Sequence, residues 1–317
     1  MLTRPLLLSR IGLKIVAHIY SFVGGPSVLG RCNELIGSVG LLRERSDVSV
    51  IIPCYKCSST LDRALESVYS QTLLPAEVIV VIDGFGGDGV DQMLEEWACA
   101  FSGKGVELKV LRLERNFGPG AARNRGWDCA GRAYVAFLDA DDAWHPEKLA
   151  RQISVMAARD LSFSAHYRVL AHRFRGGDLG GGLLQKLSPW KLLVSNLIAT
   201  STVILKREIP YRFKEDGLAE DYYLWLKLAF SGIRPYLLQE ELAFTFKDNW
   251  GEGGMSARLW RMEVGELATL WQLGSERLYP KVLFPLLALW SLIKFVRRLG
   301  ILGVKRVVKV LKGKHTP

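Results

Sequence analysis

Four aspartates follow two apolar runs of this chain, and together they are suited to holding a divalent cation. Asp139, Asp141 and Asp142 come directly after one run, and Asp83 ends another. Continuous apolar runs are typical of buried parallel strands, and ligands of open α/β sheets bind beyond the carboxyl ends of such strands. Carboxylates this close in sequence repel one another, and a divalent cation shared with a phosphate would relieve that repulsion. The residues therefore predict a metal-assisted site for a phosphate-bearing ligand at one edge of a sheet.

The elements that would position these carboxylates alternate between strand and helix from residue 47 onward. The expected strands cover residues 48–53, 77–82, 108–113 and 133–139, and the expected helices cover residues 58–71, 90–101, 118–130 and 147–157. Strands that alternate with helices of this length indicate parallel βαβ units. The first half of the chain is therefore expected to form an α/β sheet flanked by helices.

The second half of the chain has a mixed pattern. Its expected strands cover residues 161–170, 199–206 and 237–246, its expected helix covers residues 222–230, and its glycine-rich loops cover residues 176–182 and 249–256. Two acids, Glu220 and Asp221, stand directly before the helix. This half is therefore expected to complete the sheet and to bring a second pair of carboxylates to it.

The formal net charge of +10 is concentrated at the C-terminal end of the chain. Residues 281–317 carry nine lysines and arginines and no acid, so the rest of the chain is nearly balanced. A nucleic-acid-binding domain would spread its positive charge over a folded surface. The distribution indicates a basic terminal segment instead, and we expect no nucleic-acid partner.

An apolar stretch over residues 282–296 lies among these charges. It contains Pro285 and Lys294 and is shorter than the roughly 20 residues that cross a bilayer core. The residues after it alternate between an apolar and a basic face, as in helices that lie in a membrane interface. We therefore expect a peripheral or monotopic protein on the cytoplasmic face of the cell membrane. Two alternatives stay open: residues 282–296 span the membrane, or the segment is a solvated helix packed on the domain.

These patterns divide the chain into three segments. Residues 1–46 are apolar but are interrupted by Arg10 and Lys14, so we expect an interfacial or packing segment. Residues 47–256 are expected to form the catalytic domain, and residues 257–317 a helical, basic tail associated with the membrane.

The five cysteines are odd in number and scattered through predicted core segments, which favours reduced thiols in the cytoplasm. Cys54 and Cys57 have the spacing of a redox motif after a strand and before a helix. We favour the simpler interpretation, in which they are two small residues of a strand-to-helix turn.

Five ordered motifs resemble those of the family 2 glycosyltransferases, an inverting group with a GT-A fold. The motifs lie at residues 50–55, 83–84, 123–126, 137–142 and 220–221. The resemblance covers roughly residues 47–256, and it is imperfect at Cys54, Lys56 and Ile82, where the family often has other residues. It implies an α/β GT-A nucleotide-sugar-binding fold, which is a Rossmann-like mixed sheet flanked by helices. The basic apolar helices of the C-terminal segment would be added to that fold.

The resemblance also implies a nucleoside-diphosphate sugar as donor, with UDP or TDP as the expected nucleotide. The expected nucleotide-binding residues are Pro53, Tyr55, Asp83, Gly118, Arg123, Asp139 and Ala140. Asp83 would accept the ring N–H of a uracil-like base, although an acid that ends a strand can also form a turn or a helix cap. Arg123 would either reach the nucleotide or support the site by pairing with Asp83 or Asp139, and both roles stay open.

The metal and the catalytic base follow from the same resemblance. Mg²⁺ or Mn²⁺ would bridge both phosphates and be held by Asp141 or Asp142, without a choice between the two. Asp221 is the expected general base for the acceptor hydroxyl, and Glu220 is next in line. These two acids would also favour the dipole of the helix that they begin. Residues 251–256 would form a lid over the donor or a plain surface loop.

The expected function is the transfer of a single sugar to a hydroxyl of a glycan or lipid-linked acceptor, with inversion, in cell-surface polysaccharide or glycolipid biosynthesis. The Gln-x-x-Arg-Trp motif of processive synthases is absent from the sequence, which favours single transfers. One alternative is a sugar nucleotidyltransferase, but its usual glycine-rich loop near the chain start is missing. The other is a non-catalytic, membrane-associated nucleotide-binding protein, and the complete set of acids speaks against it.

Overall fold

A mixed sheet of nine strands lies at the centre of the computed structural model, which describes residues 45–84, 89–174, 182–247 and 259–313, with side chains as far as residue 302. The strands are β1 Arg45–Cys54, β2 Leu74–Asp83, β3 Glu107–Leu113, β4 Tyr134–Phe137, β5 Asp142–Trp144, β6 Phe163–Leu170, β7 Leu184–Lys186, β8 Ile204–Lys206 and β9 Tyr236–Thr245. The helices are α1 Ser58–Tyr69, α2 Val90–Gly103, α3 Pro119–Cys129, α4 Lys148–Arg159, α5 Pro189–Val194, α6 Glu220–Phe230, α7 Leu259–Ser275 and α8 Phe284–Gly313.

The strand order brings the predicted carboxylates to one edge of the sheet. The order is β3-β2-β1-β4-β8-β6-β9-β5, and β7 pairs with β9. Strands β3, β2, β1 and β4 are parallel, with Val50 of β1 opposite Val78 of β2 and Ala136 of β4. Strand β8 then joins β4 in the antiparallel direction. Because β2 and β4 run in parallel, Asp83 at the end of one and Asp139 just beyond the other lie at the same edge.

Alternating side chains along the strands fill one core on each face of the sheet. Ile51 and Phe137 face the core that contains Trp127 of α3. Ile52 and Val80 face the opposite core, which α1 and α2 cover. The inner parts of the two central strands, residues 50–52 of β1 and 78–82 of β2, are apolar because both of their faces are buried.

Two glycines let α3 approach its neighbours closely. A Cβ at Gly126 would lie 2.5 Å from Cγ2 of Ile51, and one at Gly120 would lie 2.2 Å from the carbonyl oxygen of Lys214. Both distances are shorter than the roughly 3.5–4.0 Å at which carbon atoms pack favourably. The missing side chains therefore allow α3 to lie against β1 on one side and beside the segment that leads to α6 on the other.

The predicted alternation of strands and helices in the first half is confirmed, and every end lies within three residues of its predicted position. The strand before the aspartates is shorter than expected and stops at Phe137. The chain turns there, since the backbone N–H of Asp142 donates to the carbonyl of Asp139 at 3.0 Å. Asp142 thereby begins β5, which like β7 has three residues and was not predicted from the sequence pattern.

The strand predicted at residues 199–206 is wrong over its first part. Thr200–Thr202 form a 3₁₀ turn, and only Ile204–Lys206 pair as a strand. The hydroxyl of Thr202 donates to the carbonyl of Ala199 at 2.7 Å, a local bond that competes with strand pairing. Residues 176–181 and 249–256 of the predicted loops, residues 1–44 and the predicted boundary at residue 256 lie outside the described residues.

Cys54 and Cys57 are joined by a disulfide in the turn between β1 and α1. Their Cα atoms are 5.5 Å apart, within the range that a disulfide requires. The expectation of reduced thiols is therefore wrong for this pair, because the turn brings two buried side chains into contact. Cys32 lies outside the described residues.

The C-terminal helices pack on the rest of the structure. Helix α7 contacts α6, and α8 contacts both α7 and α5. The rings of Trp271 on α7 and Phe284 on α8 meet with centroids 5.1 Å apart. Within the part of the chain that the structure describes, no helix combines the length and apolar character needed to cross a membrane.

Candidate active site

A cleft of about 840 Å³ collects most of the carboxylates that the sequence singles out. Its volume is within the range of about 300–1,000 Å³ that is usual for small-molecule sites. The acids that line it are Asp139, Asp141, Asp142, Glu220, Asp221 and Glu266, and the cations are Arg123, Arg168, Lys247, Lys294, Arg297 and Arg298. The loop after β4, the start of α6 and the C-terminal helices thus meet at one site.

Arg123 of α3 connects the two main groups of acids. Its guanidinium donates to Asp139 at 2.7 Å and to Glu220 at 3.4 Å, and its side chain is only 7% exposed. Burial alone would raise the pKa of Asp139, but the neighbouring guanidinium outweighs burial and holds that pKa below its usual value. Asp139 is therefore ionised, and Arg123 acts as a support between β4 and α6.

Asp142 is the buried member of the aspartate run. Its Oδ2 accepts hydrogen bonds from the Ser201 hydroxyl at 2.6 Å and from Arg168 at 3.0 Å. Burial raises the pKa of Asp142 to about 6, in part opposed by the charge of Arg168. Ser201 also accepts the backbone N–H of Asp139 at 3.2 Å. This carboxylate therefore holds the turn in shape.

Asp141 is the accessible carboxylate of the run. Its side chain is 36% exposed, and one oxygen lies 2.8 Å from the ammonium of Lys247. No group of three His, Cys, Asp or Glu side chains that could enclose a metal occurs within the described ranges. Mg²⁺ is usually held by one or two carboxylates together with substrate phosphates. A single accessible acid therefore fits a cation that is shared with a diphosphate.

Asp221 stands in the first turn of α6, where Ala219 turns the chain with a φ of +48°. One of its oxygens accepts the backbone N–H of Tyr222 at 2.7 Å, and the other accepts the Thr200 hydroxyl at 3.4 Å. Burial and then the charge of Glu220 raise the pKa of Asp221 to about 6. An acid with a pKa this close to neutrality can exchange a proton with a ligand in the cleft.

Asp83 holds the loop that leads into α3. Its two oxygens accept the backbone N–H groups of Phe117 and Gly118, each at 2.8 Å. Gly118 has a φ of +94°, in the region that favours glycine. Burial raises the pKa of Asp83, and the two backbone donors offset part of that rise.

The amino-acid sequence matches a family model and several known enzymes. The model of glycosyl transferase family 2 matches residues 49–176. The UDP-Glc:α-D-GlcNAc-diphosphoundecaprenol β-1,3-glucosyltransferase WfgD of Escherichia coli is 33% identical over 57% of this chain and 69% of the relative. The chain belongs to glycosyl transferase family 2. The putative teichuronic acid biosynthesis glycosyltransferase TuaG of Bacillus subtilis is 29% identical over 62% of this chain and 77% of the relative.

Solved structures confirm the GT-A fold of this glycosyltransferase. The mannosyltransferase PcManGT of Pyrobaculum calidifontis, in complex with GDP-Man and Mn²⁺, has a TM-score of 0.58 over 97% of this chain and 91% of its own, at 17% identity. TarS 1–349 of S. aureus, in complex with UDP-GlcNAc, has a TM-score of 0.56 over 76% of this chain and 70% of its own, at 20% identity.

The structure brings the acids predicted for the metal and the base into one cleft of the glycosyltransferase. Of the roles left open for Arg123, it favours the supporting one, and the partner is Asp139 and not Asp83. The other predicted nucleotide-binding residues are not among the described residues that line this cleft, and these are Pro53, Tyr55, Asp83, Gly118 and Ala140. Their nucleotide-binding roles stay predictions, and residues 85–88, which follow β2, lie outside the described residues.

The sequence analysis did not predict four residues that form hydrogen bonds or ion pairs with the acids of this family 2 enzyme. Ser201 and Arg168 hold Asp142, Lys247 pairs with Asp141, and Thr200 contacts Asp221. Arg168 lies within a predicted strand and Lys247 directly follows another. A cation in or next to an apolar strand is a local signal that could have identified both residues. No local signal distinguishes Ser201 or Thr200, because their turn was predicted as a strand.

Replacing Arg123 with Met should lower the free energy of unfolding by about 3–5 kcal/mol, because Asp139 and Glu220 would lose their shared buried cation. Urea denaturation followed by circular dichroism measures the change. Arg125→Met is the matched control on the same helix, since Arg125 and Glu215 form an exposed pair with side chains 49% and 43% exposed. That control should cost about 0–1 kcal/mol. Equal losses for the two variants would show that the Arg123 network does not hold the site together.

Proposed function

We propose that this enzyme transfers one sugar from a UDP- or TDP-linked donor to a hydroxyl of a lipid-linked acceptor, with inversion at the anomeric carbon. One observation carries the proposal. Asp221, a carboxylate whose pKa is raised to about 6, shares a cleft with the accessible carboxylate of Asp141. A base poised near neutral pH and a ligand for a phosphate-bound cation are the two groups that such a transfer needs.

Asp221 takes the proton of the acceptor hydroxyl as that oxygen attacks the anomeric carbon. Attack from the face opposite the leaving diphosphate inverts the configuration. With a pKa of about 6, Asp221 is mostly ionised at neutral pH and is a stronger base than an ordinary aspartate. Thr200 and the backbone N–H of Tyr222 hold its two oxygens in a fixed direction.

Asp141 is the residue that would hold Mg²⁺ or Mn²⁺. When bound there, such a cation would supply positive charge to offset the charge that grows on the leaving diphosphate. Lys247, which pairs with Asp141 at 2.8 Å, is free to turn to a phosphate oxygen when a cation takes its place. Asp142 stabilises this loop through its hydrogen bond with Ser201. Arg123 holds the pKa of Asp139 below its usual value and so keeps that acid ionised.

The substrate classes are supported by what the relatives' names state. The Escherichia coli relative is named for UDP-Glc as donor and for a diphosphoundecaprenol-linked acceptor. The Bacillus subtilis relative is named for teichuronic acid biosynthesis. We therefore assign this chain a lipid-linked acceptor and a place in cell-surface polysaccharide biosynthesis. The Mn²⁺ in the complex of the Pyrobaculum enzyme supports a divalent cation.

An exposed apolar face on α8 supports peripheral association with the membrane. Leu286, Leu289 and Val296 are 66%, 57% and 65% exposed, and basic residues follow on the same helix. Apolar and basic faces on one helix are typical of helices that lie in a membrane interface. The cytoplasmic leaflet is anionic and attracts such residues, which supports our proposal that the enzyme lies on that side. Residues 47–256 then act as the catalytic domain and residues 257–317 as its membrane-associated part.

Metal dependence is tested by calorimetry of the full chain with UDP, TDP and GDP, with and without Mn²⁺. Mn²⁺ should tighten binding of the preferred nucleotide, and Asp141→Asn should remove at least about tenfold of that gain, since even indirect partners of a metal contribute 10–100-fold. Asp142→Asn should keep the metal effect and lose stability. Asp160→Asn, which changes an exposed ion pair with Lys206, is the control. Equal affinity with and without Mn²⁺ for all three nucleotides would contradict the metal site.

Asp221→Asn should keep donor binding and lose transfer by at least about 10²-fold, because the amide cannot accept the acceptor proton. In the wild-type enzyme, kcat should fall as the pH drops below about 6, since the raised pKa of Asp221 means that protonation removes the base there. Product formation by chromatography over pH 5–8 measures both effects. Asp128→Asn, on an exposed pair with Arg212, should change neither. Near wild-type turnover in Asp221→Asn would assign the base to another group.

Membrane association is tested by sedimentation with anionic and neutral liposomes at low and high salt. The wild-type chain should bind anionic liposomes, and salt should weaken but not abolish the binding. Replacing Leu286, Leu289 and Val296 with Gln should lower the binding constant for anionic liposomes by about tenfold or more. Each leucine or valine that is buried in the membrane contributes about 1.5–3 kcal/mol. Leu183→Gln changes an apolar residue that is 71% exposed outside α7 and α8, and it should have no effect. A wild-type chain that sediments with neither liposome would refute the association.

A further inference from the structure

The cleft extends from the proposed base to a group of cations on α8. Helix α8 contributes Trp290, Lys294, Arg297 and Arg298 to its lining. These residues lie in the segment that the sequence marked as basic and membrane-associated. The proposed metal and base do not use these residues. We therefore ask which further group of a ligand they could bind.

Contacts between helices connect these cations, through α5, to the helix that carries the proposed base. The indole N–H of Trp290 and the ammonium of Lys294 both donate to the carbonyl of Val194, at 3.0 and 3.1 Å. Val194 ends α5, whose Leu192 and Leu193 carbonyls accept the hydroxyl of Tyr222 at 3.0 Å each. Tyr222 directly follows the proposed base in α6. One short helix therefore separates the base from the cations.

The charges of the lining show which cations can receive an anion. Arg123, Arg168 and Lys247 are paired with the aspartates beyond β4. Lys294 and Arg298 contact Glu266, and Arg298 also lies 3.8 Å from Glu263. Arg297 is exposed, and no carboxylate partner is found for it among the described side chains.

Three cations thus face two carboxylates at this end of the cleft, and the excess charge is positive. Glu263 is 1% exposed and neither of its oxygens accepts a hydrogen bond within the described part of the chain. Among the described side chains, its one cationic contact is the long one with Arg298, at 3.8 Å. The group is therefore a set of cations held in position by acids, with Arg297 directed to solvent.

The neighbouring surface is apolar. Leu289, Ile293 and Val296 alternate with the cations along α8 and are 57%, 52% and 65% exposed. An anionic group that enters the cleft from this side would carry its apolar portion across these residues. The combination matches a diphosphate attached to a hydrocarbon chain, since cations recognise phosphate oxygens and exposed apolar residues recognise the chain.

We propose that Lys294, Arg297 and Arg298 bind the diphosphate of a polyisoprenyl-diphosphate-linked acceptor, whose sugar hydroxyl then faces Asp221. This acceptor site rests on the proposed function and specifies its acceptor. The diphosphate displaces part of the Glu266 contacts and pairs with Arg297, while the hydrocarbon chain follows the apolar face of α8 toward the membrane. The acceptor diphosphate and the donor diphosphate occupy opposite ends of the cleft, each with its own positive partners.

Calorimetry with geranyl diphosphate, geranyl monophosphate and geraniol tests the site on the full chain, with UDP and Mn²⁺ in excess to fill the donor site. Geranyl diphosphate should bind most tightly. Arg297→Ala should weaken its binding about tenfold, as expected for one charge-assisted contact to phosphate, and Arg297→Lys should restore most of it. Lys281→Ala is the matched control, because Lys281 is a basic residue of the same tail that stacks on Trp271 outside the cleft.

Three outcomes decide against the site: equal binding of geranyl diphosphate and geraniol, wild-type affinity in Arg297→Ala, or the same loss in Lys281→Ala, which would indicate a general effect of charge. Inorganic diphosphate distinguishes the lipid-linked ligand from a free anion, and it should bind more weakly than geranyl diphosphate. The proposed function fails separately, when neither UDP nor TDP binds with Mn²⁺. In that case the same titrations without UDP still decide the α8 site.

Discussion

The pairing of Arg123 with Asp139 and Glu220 is the interaction on which the rest of the site depends. The two acids are 16 and 97 residues from Arg123 along the chain, and they reach it from the end of β4 and the start of α6. A buried guanidinium is stable only beside opposite charges, and the loss of one partner is costly. Arg123 therefore holds the loop after β4 and the helix of the proposed base together. Gly120 permits this arrangement, since a Cβ there would meet the carbonyl of Lys214.

Neighbouring acids acquire different properties from their surroundings. Asp142 and Asp141 are adjacent in sequence, but the first is enclosed by Ser201 and the second opens to the cleft and pairs with Lys247. Burial raises the pKa of Asp142, which is 1% exposed and supports a turn, and it also raises the pKa of Asp221, which is half-buried at the start of α6. A shifted pKa therefore has functional meaning only together with access to the cleft.

The family match covers only part of the residues that line the cleft. The family model ends at residue 176, so it includes the aspartate loop and excludes Asp221 and the helices α7 and α8. Enzymes that share a fold differ in the sites built on it. The part within the match carries the proposed donor and metal residues, and the part beyond it carries the proposed base and acceptor residues. The C-terminal tail is consequently a wall of the cleft as well as a candidate membrane contact.

The sequence by itself determined the alternating strands and helices of the first half and the edge at which Asp83 and Asp139 lie, because apolar periodicity is local and buried parallel strands are uniformly apolar. The tertiary structure decided the rest. It set the partner of Arg123, the buried state of Asp142 and the turn at Thr200–Thr202. These depend on contacts between residues far apart in the chain, and on hydrogen bonds of single side chains, which no local pattern of residue types encodes.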